Sequence, residues 1–207
     1  MTSTELVDFN YFRNRLFNYK TYDNDDNPMG FPRGGEDRTG LSDIACHLPL
    51  LTFVASMCDT GAEFGVRDCF STVALLSGLR LKLYSYDLQG STNVNHLRSM
   101  KLPIDWEFHE QNTIREGFKI PPVDLLFVDS LHTFGQVRDE LAMHGDNVKK
   151  FILFHDTSLY SQGVRSLDVS DQEGINRAIS EYAESHGWTE RYSVEFGHGL
   201  KILVRNQ

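Results

Sequence analysis

Four polar residues suited to acid–base catalysis or metal binding follow two apolar runs of the sequence. Asp129 ends the run VDLLFVD, with His132 three residues later, and His155 and Asp156 end the run FILFHD. Histidine titrates near neutral pH, so His132 is a candidate general base. Carboxylates and imidazoles are also common ligands of divalent cations. Because ligands of open parallel sheets bind beyond the carboxyl ends of the strands, these residues predict a small-molecule site there.

The elements that must position these residues alternate along the chain from residue 61 onward. Strands are expected at 61–66, 82–87, 105–110, 124–128 and 150–155, and helices at 70–80, 93–100, 133–147 and 173–186. Such alternation predicts an α/β fold with a Rossmann-like doubly wound, mostly parallel sheet. At the end of the chain, alternating apolar residues in RYSVEF and LKILVR flank Gly197-His198-Gly199 and predict an antiparallel hairpin.

Composition restricts the class of protein. The chain has 207 residues, a net charge of −9 and a pI near 5.3. Nucleic acids and anionic membranes are bound through concentrated Lys and Arg, so we expect a small-molecule partner and neither of those. Three cysteines without a CxxC motif, and an amino terminus without an apolar core, predict a cytoplasmic protein. Composition leaves homo-oligomerisation open.

The first 58 residues are predicted to form a helical and loop cover for the main domain, residues 59–207. The segment 21–40 is rich in Asp, Asn, Gly and Pro, so we expect a loop there and consider it a candidate lid. Residues 41–56 show helical spacing of apolar side chains and are expected to cover one edge of the sheet.

The sequence GAEFGVRDCFST predicts a strand that turns sharply into a helix at Gly65. A side chain at that position would crowd a bound ligand, and the amides near Ser71, where the helix begins, could hold a ligand carboxylate. Glu63 either accepts from a ligand or is a buried acid satisfied by neighbouring amides. Asp87 ends the next strand, where nucleotide-binding α/β folds place a carboxylate on ribose hydroxyls.

The sequence of the turn after Gly65 also indicates which cofactor it suits. Counting from Gly65, Arg67 and Phe70 stand where a dinucleotide site has its other two glycines, so NAD is disfavoured. Asn112 follows the third predicted strand, and its side chain could either bond an adenine edge or cap a turn.

Five strings of the sequence, in this order, resemble the class I S-adenosylmethionine-dependent methyltransferases, in particular the branch that acts on sugars and other small hydroxylated metabolites. They are SDIxxHLPLL, EFGVRxxxST, YSYD, LLFVDxxHTF and FxLFHDT. Together with the terminal hairpin they cover residues 41–205. The ordered combination is far more specific than any single string.

The resemblance implies O-methylation of a small hydroxylated acceptor, such as a sugar or glycosylated metabolite, with S-adenosylmethionine as the methyl donor. Carried over position by position, the implied donor-binding residues are Glu63, Phe64, Gly65, Val66, Arg67, Ser71, Asp87, Leu88, Asn112 and Asp129. Asp129 and His132 are the implied catalytic residues, and His132 would remove the hydroxyl proton.

A divalent cation, Mg or Mn, is the second cofactor that the resemblance suggests. Its implied ligands are Asp129, His155 and Asp156. The alternative is that Asp156 caps the turn that follows it and that His155 is a packed residue at the end of a strand.

Three residues depart from the family pattern. Cys69 stands where the family usually has Gly, Leu131 where it often has a further Asp, and His155 where metal-dependent relatives have an acid. An imidazole ligand shifts metal preference from Mg towards Mn, Fe or Zn. Two alternatives therefore stay open: a metal-dependent hydroxylase or hydrolase that uses the same Asp and His cluster, and a catalytically inactive cofactor-binding domain.

Overall fold

The computed structural model describes residues 43–161 and 173–206, and within them seven strands form one sheet. The strands are β1 (Thr60–Phe64), β2 (Lys82–Asp87), β3 (Asp105–Glu110), β4 (Val123–Val128), β5 (Val148–His155), β6 (Trp188–Val194) and β7 (Leu200–Arg205). Their order across the sheet is β3-β2-β1-β4-β5-β7-β6. The first five are parallel, and β7 pairs antiparallel with both β5 and β6.

Five α-helices of the described part connect or cover these strands. They are α1 (Leu48–Ala55), α2 (Phe70–Gly78), α3 (Thr92–Ser99), α4 (Phe134–His144) and α5 (Ile175–Ser185). A 3-10 helix over Asp43–His47 precedes α1, and a second one over Gly145–Asn147 follows α4. The side chain of Thr133 accepts a hydrogen bond from the Gln136 amide and so caps α4 directly after His132.

Helices cover both faces of the sheet. Successive side chains of a strand point to opposite faces, and all six residues of β4 are buried. Phe127 belongs to the apolar cluster that contains side chains of α1, α2 and α3, whereas Leu126 belongs to the cluster with α4 and α5. The sheet is therefore doubly wound, as predicted.

The strand order explains why distant residues meet at one edge. β4 lies between β1 and β5, so the residues that follow these three strands are neighbours at the carboxyl end of the sheet. Because β7 is antiparallel to β5, with Leu200 opposite His155, the turn that precedes β7 lies at this same end. The terminal hairpin thus delivers residues 196–199 to the end of β5.

The structure confirms the predicted alternation and the antiparallel hairpin, with element ends shifted by a few residues. The sixth strand begins at Trp188, three residues before the alternating pattern that predicted it. Tyr192 is exposed on β6, which is the edge strand, and Phe196 is exposed in the turn that follows β6. The candidate lid, residues 21–40, and most of the predicted cover lie outside the described residues. In the described ranges no helix has the length and apolarity needed to cross a membrane.

Candidate active site

Asp129, His132 and Asp156 bring three ligand atoms together beyond the ends of β4 and β5. His132 Nε2 lies 3.1 Å from Asp129 Oδ1 and 3.1 Å from Asp156 Oδ2. One ligand atom from each residue can be chosen so that all three lie within 4.8 Å of one another. Octahedral coordination with bonds of about 2.1 Å places neighbouring ligand atoms about 3.0 Å apart. The two distances from Nε2 therefore match those between adjacent ligands of one cation.

His155, the predicted imidazole ligand, lies beside this group and contacts Asp129 and Asp156. Its ring is buried, with Nε2 at 3.0 Å from the Gly197 carbonyl oxygen and Nδ1 at 3.2 Å from Asp129 Oδ1. A carbonyl oxygen only accepts, so Nε2 carries a proton and Nδ1 is the coordinating nitrogen of the neutral ring. Nδ1 also lies 3.6 Å from Asp156 Oδ1, so the role of His155 as a metal ligand stays a prediction. Sequence could not show the contact with Gly197, which is 42 residues from His155.

The charge state of Asp129 suits a ligand. Burial alone would raise the pKa of this carboxyl, but the hydrogen bonds and charges of His132 and His155 outweigh it and hold the pKa below its ordinary value. Asp129 is therefore ionised at neutral pH. The ring of His132 stacks on Tyr160, with the ring centroids 4.8 Å apart and the planes 4° from parallel, which fixes its orientation.

Two histidines that the sequence did not single out also belong to this region. His47, at the end of the first 3-10 helix, lies with its ring centroid 5.6 Å from that of His155. His198, in the turn between β6 and β7, places Nδ1 3.2 Å from Asp156 Oδ1. The string SDIxxHLPLL contained His47, and the flanking Gly197 and Gly199 marked a sharp turn at His198. Neither signal by itself pointed to chemistry.

Gly65 is required by the backbone of the neighbouring strand, and the close approach of a ligand at this turn stays a prediction. Its φ is +83°, and a Cβ atom there would lie 2.0 Å from the carbonyl oxygen of Asp129. The amide of Asp129 in turn donates to the Phe64 carbonyl oxygen at 2.8 Å. The end of β4 itself, with no need for a ligand, therefore excludes a side chain at this corner.

The carboxylate of Asp87 stabilises the first turn by accepting hydrogen bonds from backbone amides. Its Oδ2 accepts from the amides of Val66 at 2.8 Å and Arg67 at 3.1 Å, and its Oδ1 accepts from the Leu88 amide at 2.7 Å. Oδ2 therefore already has two donors, and Oδ1 has capacity for one more. Leu88 is 72% exposed beside it. These residues are close together, and their contacts with a donor stay predictions.

Glu63 lies beneath the turn with no exposed surface. It accepts hydrogen bonds from the hydroxyls of Ser71 at 2.6 Å, Thr72 at 2.8 Å and Ser85 at 2.7 Å. This arrangement resembles the predicted buried acid, except that the donors are hydroxyls instead of amides. The Ser71 hydroxyl proton is thereby used, so a ligand carboxylate would bind the amides near Ser71 instead of this hydroxyl. Burial raises the pKa of Glu63 to about 7, although the hydroxyls oppose the shift.

Glu63 is expected to make stability fall as pH rises from about 4.5 to about 7. In that window the folded protein keeps a proton on Glu63 that the unfolded chain releases, so the folded state loses stability, by about 3 kcal/mol in total. Glu63→Gln should flatten this part of the curve, and Glu116→Gln, at an exposed site, should leave it unchanged. Urea unfolding between pH 5 and 8 measures the effect, and an unaltered slope in Glu63→Gln would contradict the assignment.

Asn112 was predicted to contact the donor, and Cys69 was identified as a departure from the family pattern. Asn112 Oδ1 accepts from the Ile114 amide at 3.0 Å, so this oxygen caps a turn. Cys69 is buried and has a φ of +64°, and Arg67 also has a positive φ of +45°. Both residues adopt the left-handed conformation that usually favours Gly. The turn is therefore formed although Cys69 replaces the Gly that is usual in the family.

Comparisons with known proteins find the fold in solved structures. No family model matches the sequence, and none of the curated proteins matches it. The O-methyltransferase TomG from Streptomyces achromogenes, which is involved in tomaymycin synthesis and was solved with S-adenosylmethionine, is 14% identical, with a TM-score of 0.59. The match covers 79% of this chain and 81% of TomG.

Two further structures extend the comparison. An O-methyltransferase from Bacillus cereus, in complex with S-adenosylhomocysteine, is 10% identical over 100% of this chain and 92% of that one, with a TM-score of 0.57. The methyltransferase MycE of the mycinamycin pathway, solved with Mg, S-adenosylhomocysteine and mycinamycin VI, is 14% identical, with a TM-score of 0.53. That match covers 85% of this chain and 51% of MycE, so this chain spans about half of it. By architecture, the chain has the class I methyltransferase fold.

Proposed function

We propose that this protein is an S-adenosylmethionine-dependent O-methyltransferase of a small hydroxylated acceptor, assisted by a divalent cation at Asp129, His132 and Asp156. The observation that carries the proposal is the convergence of these three side chains at the carboxyl end of a methyltransferase-type sheet, beside the turn at Gly65. The fold, the resemblance in sequence and the solved neighbours support the donor, since TomG was solved with S-adenosylmethionine.

The proposed reaction has two requirements, alignment of the methyl donor and activation of the acceptor hydroxyl. A methyl donor of this kind is already activated, so the protein must align its methyl carbon with the acceptor oxygen and remove the hydroxyl proton. A bound divalent cation would lower the pKa of that hydroxyl. Asp129, which is ionised, and Asp156 would supply two negative charges, and His132 would supply a neutral nitrogen ligand.

His132 has two possible uses, and they exclude each other. With a cation in place, Nε2 is a ligand and cannot take a proton from the acceptor. In a protein that works without metal, the same nitrogen, held 3.1 Å from each carboxylate, is the general base. We favour the ligand, because two carboxylates and one imidazole nitrogen that converge within 4.8 Å form a donor set suited to a divalent cation.

Donor binding is expected to depend on Asp87. Isothermal titration calorimetry should show micromolar binding of S-adenosylhomocysteine and none of NAD. Asp87→Ala should weaken binding about 10- to 100-fold, because a hydrogen bond to a charged group contributes about 1.5–3 kcal/mol. Asp105→Ala removes an acid at the opposite end of the adjacent strand β3, where it pairs with Lys82, and should leave affinity unchanged.

The outcomes separate the alternatives. Absence of S-adenosylhomocysteine binding in the wild-type protein would contradict the proposed donor. Metal-dependent hydrolysis or hydroxylation without any methyl donor would favour the other enzyme class that the Asp and His cluster allows. Donor binding without methyl transfer to any of a panel of sugars, phenols and glycosylated compounds would point to the inactive cofactor-binding domain.

A further inference from the structure

Two buried histidines, His47 and His155, hydrogen-bond to the turn between β6 and β7 at the end of β5. His47 Nε2 lies 3.1 Å from the carbonyl oxygens of both Phe196 and Gly197. His155 Nε2 lies 3.0 Å from the Gly197 oxygen. Carbonyl oxygens only accept hydrogen bonds, so both rings donate to the turn. The ring of His47 also stacks on that of Phe196, with the centroids 5.2 Å apart.

The loop after β5 also forms hydrogen bonds with this turn. The amides of Ser158 and Leu159 donate to the His198 carbonyl oxygen at 2.9 and 3.2 Å, and the Ser158 hydroxyl donates to the Glu195 carbonyl oxygen at 2.8 Å. A Cβ atom on Gly199 would lie 2.4 Å from the Ser158 nitrogen. The backbone of the turn is therefore seated against this loop in one position.

The turn directs one side chain back to the site. His198 has a φ of +62°, and its Nδ1 lies 3.2 Å from Asp156 Oδ1. The other oxygen of the same carboxylate, Oδ2, faces His132 Nε2 at 3.1 Å. His155 Nδ1 lies 3.6 Å from Oδ1 on its other side, so His198 is the nearer of two imidazoles at this oxygen, and neither makes a hydrogen bond to it in this conformation. The side chain of His198 is 43% exposed, whereas that of Asp156 is 7% exposed, so His198 stands between the carboxylate and solvent.

We propose that His198 is a positioning residue which holds Asp156 Oδ1 and thereby sets the affinity of the Asp129–His132–Asp156 group for a divalent cation. This inference rests on the proposed function. A ligating carboxylate is oriented by the polar group beside its other oxygen, here His198 Nδ1 at 3.2 Å, and loss of such a supporting partner typically costs about 10- to 100-fold in metal affinity. The hairpin would then contribute to the cation site without supplying a ligand.

Two substitutions of His198 distinguish the effect of its side-chain nitrogen from the effect of its backbone conformation. His198→Gly removes the donor and accommodates the left-handed φ without strain. His198→Asn keeps a donor near the position of Nδ1, and Asn is among the side chains that best tolerate this conformation. The dissociation constant for Mn²⁺ is measured by electron paramagnetic resonance of free Mn²⁺ on the full chain, and S-adenosylhomocysteine affinity is measured in parallel by calorimetry.

We expect His198→Gly to weaken Mn²⁺ binding about 10- to 100-fold, His198→Asn to restore affinity to within about threefold of the wild type, and neither to change S-adenosylhomocysteine affinity. Equal Mn²⁺ affinity in the wild type and His198→Gly would overturn the role of His198 alone. Equally weak binding in His198→Gly and His198→Asn would also overturn it, because the donor would then not be what matters. No Mn²⁺ binding by the wild type would instead contradict the proposed cation site itself.

Discussion

Alanine at position 65 is expected to destabilise the protein by about 3–5 kcal/mol, a large part of the stability of an ordinary domain. Two costs add. The φ of +83° is a left-handed conformation that costs a residue with a side chain about 1–2 kcal/mol. The new Cβ would lie 2.0 Å from the Asp129 carbonyl oxygen and 2.6 Å from its carbonyl carbon, so the ends of β1 and β4 would have to separate.

Gly135→Ala is the matched control for this prediction. Gly135 lies in α4, and a Cβ atom there would have no heavy atom within 4 Å apart from its immediate surroundings in the helix. Alanine is the better helix former by up to about 1 kcal/mol, so this variant should be as stable as the wild type or more so. Urea unfolding compares the two, and a Gly65→Ala protein as stable as Gly135→Ala would show that the corner is not as tight as the structure describes.

Asp156→Asn is expected to reduce Mn²⁺ affinity by at least about 100-fold and methyl transfer by about 10²- to 10⁴-fold. The substitution preserves shape but removes the negative charge opposite His132, and a neutral amide is a much poorer ligand for a divalent cation. Donor affinity should change little, because Asp156 is not among the predicted donor-binding residues. Asp129→Asn should have the same two effects for the same reason.

Asp105→Asn provides the corresponding control, since Asp105 begins β3 at the opposite end of the sheet and pairs with Lys82. It should leave Mn²⁺ affinity and turnover at wild-type values. If Asp156→Asn kept its Mn²⁺ affinity, the cation site would lie elsewhere. If it lost Mn²⁺ affinity but kept full turnover, methyl transfer would not depend on the cation, and His132 would be the base.

The fold was largely predictable because its signals are local. The buried runs of β4 and β5 and the alternation in β7 are properties of neighbouring residues, and they determine the strands to within a few positions. The beginning of β6 at Trp188 was missed, since this edge strand is mostly exposed and carries little apolar alternation before Tyr192. Edge strands have only one neighbour to pack against, which weakens the pattern.

The candidate site was predicted in part. Asp129, His132 and Asp156 were identified because strand ends meet at one edge of a parallel sheet. The hydrogen bond from His155 to Gly197 was not predictable, because Gly197 lies in a distant hairpin. The contact of His198 with Asp156 has the same origin: it requires the antiparallel register of β5 and β7, which sequence periodicity does not specify.

Anomalous diffraction at the manganese edge, from crystals grown with S-adenosylhomocysteine and Mn²⁺, tests the central claim most directly. The account predicts a strong peak within bonding distance of Asp129, His132 Nε2 and Asp156, and density for the nucleoside along the turn from Gly65 to Arg67 with its ribose at Asp87. Nucleoside density elsewhere, or a manganese peak that contacts none of the three side chains, would contradict it.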